Sequence, residues 1–448
     1  MKKNLAESIF AFKISSTVTW VLISVLIFLV FIALRITFFT GGRSSNTNVA
    51  VIHYADYITD TLMDLIEKFN KENEGNIKVI PINLPFSKFS TNERKELLAR
   101  SLRSKSDQID VFAVDIIWVY RFAKWAEPLG KFFSTVQREK TIRYTMESCY
   151  YNDQLVAMPF KVDLSTMFYR KDILKSLSDF ELYEKELQNS ITWERFINLK
   201  KSINISDKPF YTFAADSYEG LVCSYIEAIL NQDRDFFARG QVNFSREESK
   251  KALELLVDLV NKYEMTPKAA INFTEYLCHD YFMKNNGLFI RSWPTFINEY
   301  DEFITDTTIN YELVPVPMPH FEGFKHANMF GGWNLMISKF SRHKSESVKF
   351  INFLLEESSQ IELFVNDGSI PVLKNIFENY KDYPKTETLQ YYDEQFKYGV
   401  YRPALEDYTR ISDIISHFVN KAIRKEISVK EALAQADEMI NSDKVIIH

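Results

Sequence analysis

The chain reads as an α/β protein of two lobes behind one N-terminal membrane helix, and three features of its 448 residues carry that reading. From Val49 onward, short apolar runs alternate with segments whose apolar residues recur at i, i+3, i+4 and i+7, as strands and helices do in a mostly parallel sheet. The roughly 400 residues after Asn48 exceed what one hydrophobic core normally serves, so two lobes are expected. Ahead of them, Ile14 to Leu34 contains no charged residue.

As a helix that run spans about 31 Å at ~1.5 Å per residue, enough for the hydrocarbon core of a bilayer. Lys2, Lys3 and Lys13 precede it, Arg35 follows it, and no A-x-A cleavage site is present. The expectation is a cytoplasmic segment 1–13, an uncleaved transmembrane anchor 14–34 and a linker 35–48, whose GGRSSNTN suits a flexible stalk. The body would lie on the extracellular or periplasmic side. Lys2, Lys3, Lys13, Arg35 and Arg43 against Glu7 put residues 1–45 at +4, so the rest of a chain of net charge −6 carries −10. An acidic body argues against nucleic acid as a partner, because phosphate neutralisation needs clustered Lys and Arg.

Val49 to His53 is a short apolar run. A helix follows with Leu62, Leu65, Ile66 and Phe69 on one face, closed by Gly75, and then a strand at Ile77 to Ile82. A helix around Glu93 to Leu102 and an apolar run at Val111 to Val114 continue the alternation. It resumes with Tyr311 to Val316, Asn334 to Ser338 and a helix carrying Val348, Ile351 and Leu355. The C-terminal end is helical, with stripes at Ile411, Ile414, Ile415 and Phe418 and at Val429, Leu433, Ala436 and Ile440. Cys149, Cys223 and Cys278 are widely separated and lack C-x-x-C spacing, so buried thiols are expected.

Five segments in order carry a resemblance: Asp110 to Leu129 (DVFAVDIIWVYRFAKWAEPL), Met158 to Leu174 (MPFKVDLSTMFYRKDIL), Ile290 to Pro294 (IRSWP), Gly331 to Lys339 (GGWNLMISK) and Asp367 to Leu373 (DGSIPVL). Together they resemble the extracellular solute-binding proteins, family 1, the maltose/trehalose-type sugar-binding proteins of ABC importers. The resemblance implies a periplasmic-binding-protein-like fold of the class II type, with a ligand cleft between lobes that the chain joins more than once. Carried over, one lobe is 49–158 plus 312–367 and the other 159–311 plus 368–448, with crossings near Pro159, Val314 and Gly368. It also implies a carbohydrate ligand, ABC permease subunits as partners, and no cofactor or metal. Many relatives hold on through a lipidated Cys just after the signal, whereas the first Cys here is Cys149.

A pyranose offers apolar C–H faces and a rim of hydroxyls, so a site for it stacks aromatic rings on the faces and aims carboxylates or guanidinium groups at the rim. Trp118, Trp293 and Trp333 match the family's cleft aromatics, with Gly331 and Gly332 letting backbone approach before Trp333; Asp115, Asp163 and Arg402 match its polar contacts. Each residue has another reading. Trp118 follows an apolar strand and fits a lobe core equally well. Asp115 suits a helix cap, Asp163 a pairing with Arg170 or Lys171, and Arg402 an ion pair. Lys161 stands where the family commonly has an aromatic, and Leu164 to Thr166 where a Gly is usual. Tyr218 and Glu219 are further candidates on the second lobe's side. Trp20, Trp125 and Trp193 read as structural.

An enzyme finds little support, because the chain has no G-x-S-x-G, H-E-x-x-H, G-x-x-x-x-G-K-[ST] or G-x-G-x-x-G motif. A glycoside hydrolase stays open only because its two carboxylates need no fixed sequence spacing. A ligand-sensing ectodomain that partners a signalling protein is the other alternative to a transport receptor.

Overall fold

The structure is a computed structural model that describes residues 49–105, 108–203, 208–238, 242–303, 311–405 and 407–442. The segment 14–34, expected to span a membrane, lies outside them. Among the described residues no helix is long and apolar enough to cross a membrane.

Ten principal strands build two sheets: β1 (Ala50–Asp56), β2 (Ile77–Asn83), β3 (Val111–Asp115), β4 (Met158–Leu164), β5 (Thr166–Arg170), β6 (Tyr211–Thr212), β7 (Phe289–Ser292), β8 (Leu313–Val316), β9 (Asn328–Ile337) and β10 (Gly399–Val400). The first sheet has the order β10-β9-β3-β1-β2, with β4 also paired to β9. Its β1–β2 and β1–β3 pairs are parallel, whereas β9 runs antiparallel to β3 and to β4. The second sheet has the order β8-β5-β7-β6.

The helices that matter for the site are α1 (Asp60–Glu72), α2 (Thr91–Arg103), α3 (Glu219–Gln232), α4 (Glu247–Asn261), α5 (Lys344–Leu354), α6 (Tyr408–Ile423) and α7 (Val429–Asn441). α1 starts where the Thr59 hydroxyl accepts from the Leu62 amide at 3.1 Å, and it buries the expected stripe Leu62, Leu65, Ile66 and Phe69. Gly75 follows it at φ +79°, a left-handed turn that glycine adopts without cost. α2 begins with a reciprocal capping box between Ser90 and Glu93. Its buried stripe of Leu98, Ala99 and Leu102 continues one turn N-terminally into Arg94 and Lys95, 1% and 4% exposed. Charges on an apolar face need partners, and those partners prove to define part of the site.

Two large cores confirm the two-lobed architecture. One gathers Ile52, Leu62, Phe112, Phe122, Met336 and Phe350 around the first sheet. The other gathers Tyr169, Phe196, Leu221, Leu253, Phe289 and Ile414, joining the second sheet to α3, α4, α6 and α7. The chain passes from the first sheet to the second through Ser165, the single residue between β4 and β5, and returns between β8 and β9. β8 itself pairs with β5, Val314 opposite Tyr169. All three cysteines are buried and unbridged.

Candidate functional site

The site is assembled by strand register. On β9, Trp333 pairs with Asp115 at the end of β3 and with Lys161 on β4, and Gly331 pairs with Asp163. A bulge follows Trp333 in the β9–β4 ladder. Gly332, just before it, stands at φ +129°, and a Cβ on it would come within 2.3 Å of the Lys161 carbonyl oxygen, so only glycine fits. At Gly331 a Cβ would stand 2.9 Å from Cζ3 of Trp293. The missing side chain is what lets a tryptophan from the end of β7 lie against the first sheet. Asp115, Asp163, Trp293, Gly331, Gly332 and Trp333 therefore come together where the two sheets meet.

Arg402 completes this group from the segment between β10 and α6. Its Nη2 donates to Asp115 Oδ1 at 2.6 Å, and its Nη1 donates to Asp115 Oδ2 at 3.3 Å and to Glu219 Oε1 at 2.9 Å. Glu219, at the start of α3, also accepts from the hydroxyls of Tyr408 and Ser412, one turn apart on α6. Asp115 Oδ1 accepts in addition from the Ile117 amide at 3.1 Å. Asp115 thus caps the following turn, as its structural reading has it, and also accepts the ion pair expected of Arg402. Burial pushes the Glu219 carboxyl up and Arg402 opposes it. Arg402 stays well above its ordinary range despite its own burial, because Asp115 and Glu219 surround it.

Asp163 is different. Its Oδ1 is sealed from solvent and has no hydrogen-bond partner among the described residues, and burial lifts its pKa to about 6 against the pull of Lys161. The pairing with Arg170 does not form, because Arg170 is taken by Asp172 at 2.6 Å.

The tryptophans divide. Trp118 is 2% exposed and packs in the first core, with the Lys95 ammonium 5.3 Å from its ring centre. Trp333 and Trp293 are half-buried, at the rims of the first and second cores. Cζ of Arg94 stands 4.3 Å from the Trp333 ring centre and 4.4 Å from that of Phe86, and its Nη2 donates to Asp56 at 2.9 Å. Two further nitrogens of Arg94, Nε and Nη1, are buried without a partner among the described residues. Behind Trp293, Arg291 pairs with Glu227 at 3.3 Å, and Glu227 accepts from the Met329 amide and the Ser165 hydroxyl, bracing the point where the chain changes sheets.

Sequence reading missed Arg94, Lys95 and Phe86, and the pair Tyr408 and Ser412. The available clue was positional: Arg94 and Lys95 fall at i−4 and i−3 from Leu98, on the stripe that should be apolar. One cluster has the arrangement of a hydrolytic triad, with His279 between Ser292 at 2.7 Å and Glu299 at 2.8 Å. Ser292 is 0% exposed, so its hydroxyl reaches no solute from outside.

Comparison with known proteins agrees with this architecture. A "Probable ABC transporter-binding protein" of Deinococcus radiodurans is 21% identical over 357 residues, covering 77% of this chain and 82% of that protein. Among solved structures, maltose-bound MalE3 of T. maritima superposes with a TM-score of 0.79 at 24% identity, covering 88% of this chain and 99% of its own. The GacH receptor of Streptomyces glaucescens, solved unliganded and with acarbose, gives 0.73 at 17% identity, with 88% and 98% covered. The sequence profile of the bacterial extracellular solute-binding proteins matches residues 55–361. The chain therefore belongs to the bacterial extracellular solute-binding protein family, whose members capture solutes and are not enzymes.

Proposed function

We propose that this chain is a receptor that takes a carbohydrate, an oligosaccharide in particular, between its two lobes and hands it to the permease of an ABC importer, with segment 14–34 tethering it at the outer face of the membrane. The observation that carries the reading is the convergence of two half-buried tryptophans, Trp293 and Trp333, with the carboxylates of Asp115 and Asp163 at the junction of the sheets. Flat rings for C–H faces beside acceptors for hydroxyl rims are what a sugar requires and what an amino acid or a metal ion does not.

A thermal-shift screen of the full chain against maltose, maltotriose and a cyclic maltooligosaccharide, with amino acids and polyamines as controls, tests this. Saturation at ~100 times Kd adds about 2.7 kcal/mol to the native state. Stabilisation by a sugar recovered intact supports the receptor; stabilisation by the controls alone replaces its ligand class.

A further inference from the structure

We propose that Arg402 is an interlobe latch: anchored in the second lobe by Glu219, it helps to hold the lobes together by its bidentate bond to Asp115, and opening of the cleft parts that bond. The inference uses the two-lobed fold and not the identity of the ligand. Three observations carry it.

First, the two ends of the bond lie on different lobes. Asp115 ends β3 of the first sheet and is fixed there by the Ile117 amide. Glu219 heads α3, which is buried in the second core; Arg402 follows β10, whose Val400 packs into that core while its backbone pairs with the start of β9. Second, the anchor is built more strongly than a passing contact needs. Glu219 receives Tyr408 and Ser412 besides Arg402, and α6, which bears both hydroxyls, packs in the same core as α3. When the lobes separate, Arg402 keeps Glu219 and loses Asp115. Third, a second link runs parallel. Lys95 of α2, on the first lobe, lies 3.9 Å from Asp413 of α6 on the second.

Arg402 and Asp115 were both expected to face a ligand, and each is the other's main partner. A solute that draws on either must replace what the other gives, donors for Asp115 and acceptors for Arg402 together. Neutral polyhydroxy solutes offer both; a lone carboxylate or ammonium group offers one and leaves the opposite charge buried and unpaired.

The test is a distance measurement with no ligand added. Glu67→Cys on α1 and Lys251→Cys on α4 place exposed labels on the two lobes, while Cys149, Cys223 and Cys278 are buried against labelling. In the full-length chain, single-molecule energy transfer between them should give one narrow population. Arg402→Met and Asp115→Asn should each lose it to a broader population at longer distance, and Arg402→Lys, which keeps the charge without the bidentate fork, should fall between. Asp115→Asn keeps the size of the side chain and its cap on Ile117, so it reads the latch even where Arg402→Met does not fold. A wild-type population that is already broad, or one that folded Asp115→Asn leaves unchanged, overturns the proposal. Neither outcome touches the ligand class, which the thermal-shift screen decides separately.

Discussion

Two buried arginines stand on either side of the same tryptophan-lined junction, and they are held in different ways. Arg94 finds everything on the first lobe: Asp56 at the end of β1, Phe86 after β2 and Trp333 on β9. Arg402 finds Asp115 on one lobe and Glu219 on the other. Both are 4% exposed or less, so burial does not separate them. What separates them is whether their partners move together. An arginine within a lobe serves as part of the floor, whereas one between lobes reports on closure.

The comparison is most exposed at Arg402. Its replacement by Met leaves the carboxylates of Asp115 and Glu219 buried near each other without a cation, which should lower the unfolding free energy by ~3–5 kcal/mol in urea titration. Asp115→Asn added to it should cost less than its effect alone, because the two residues share one interaction. Arg94→Met should cost less, ~2–3 kcal/mol, because Asp56 keeps the Tyr54 hydroxyl and the Tyr57 amide, each at 2.7 Å. It should also leave the interlobe distance of the full chain unchanged. If Arg94→Met opens the lobes as Arg402→Met does, the distinction between floor and latch is lost.

The tryptophans sharpen the contrast at the next level. Trp333→Ala should weaken sugar binding by ~2 kcal/mol, about thirtyfold by calorimetric titration, since it removes a half-buried ring and the surface on which Arg94 rests. Trp118→Phe should change affinity less than threefold, about 0.6 kcal/mol, while lowering the melting temperature, because its ring belongs to the first core. Equal losses of affinity would return Trp118 to the cleft.

Much of the framework was legible because it rests on local rules. The α1 stripe, the β1–β2 alternation and the α6 and α7 stripes follow from periodicity, and they appear where that periodicity puts them. Gly331 and Gly332 were legible as places of close approach, although the objects approached, Trp293 and the Lys161 carbonyl, come from other strands and only the register reveals them. Partner choice was the part that sequence could not rank. Asp115 had two candidate uses, a ligand contact and a helix cap, and it makes the cap while also pairing with Arg402; Asp163 had Arg170 within seven positions and does not take it, because Asp172 lies nearer to Arg170. Arg94 and Lys95 were hidden for the opposite reason. On an otherwise regular helix, a charged residue on the inner stripe looks like ordinary noise until the aromatic rings and carboxylates beneath it are in view.

The two aspartates give a modest effect and the one with a definite pH signature. Asp115 has a cation against it, while one oxygen of Asp163 is sealed without a hydrogen-bond partner among the described residues. Burial lifts Asp163 from an ordinary 3.8 to about 6, so the native state holds its proton more tightly than the unfolded chain does. Its contribution to stability is therefore fully present below about pH 4 and lost as pH rises through about 6. Asp163→Asn cannot titrate and keeps the neutral form at every pH. The variant should match wild type near pH 4 and exceed it at pH 8 by on the order of 1 kcal/mol, after allowing for the solvent that reaches the rest of this half-buried side chain. Melting temperatures of the two chains at those two pH values check the sign. A wild-type advantage at pH 8 would mean that the Asp163 carboxylate has a stabilising partner, and the contrast with Asp115 would disappear.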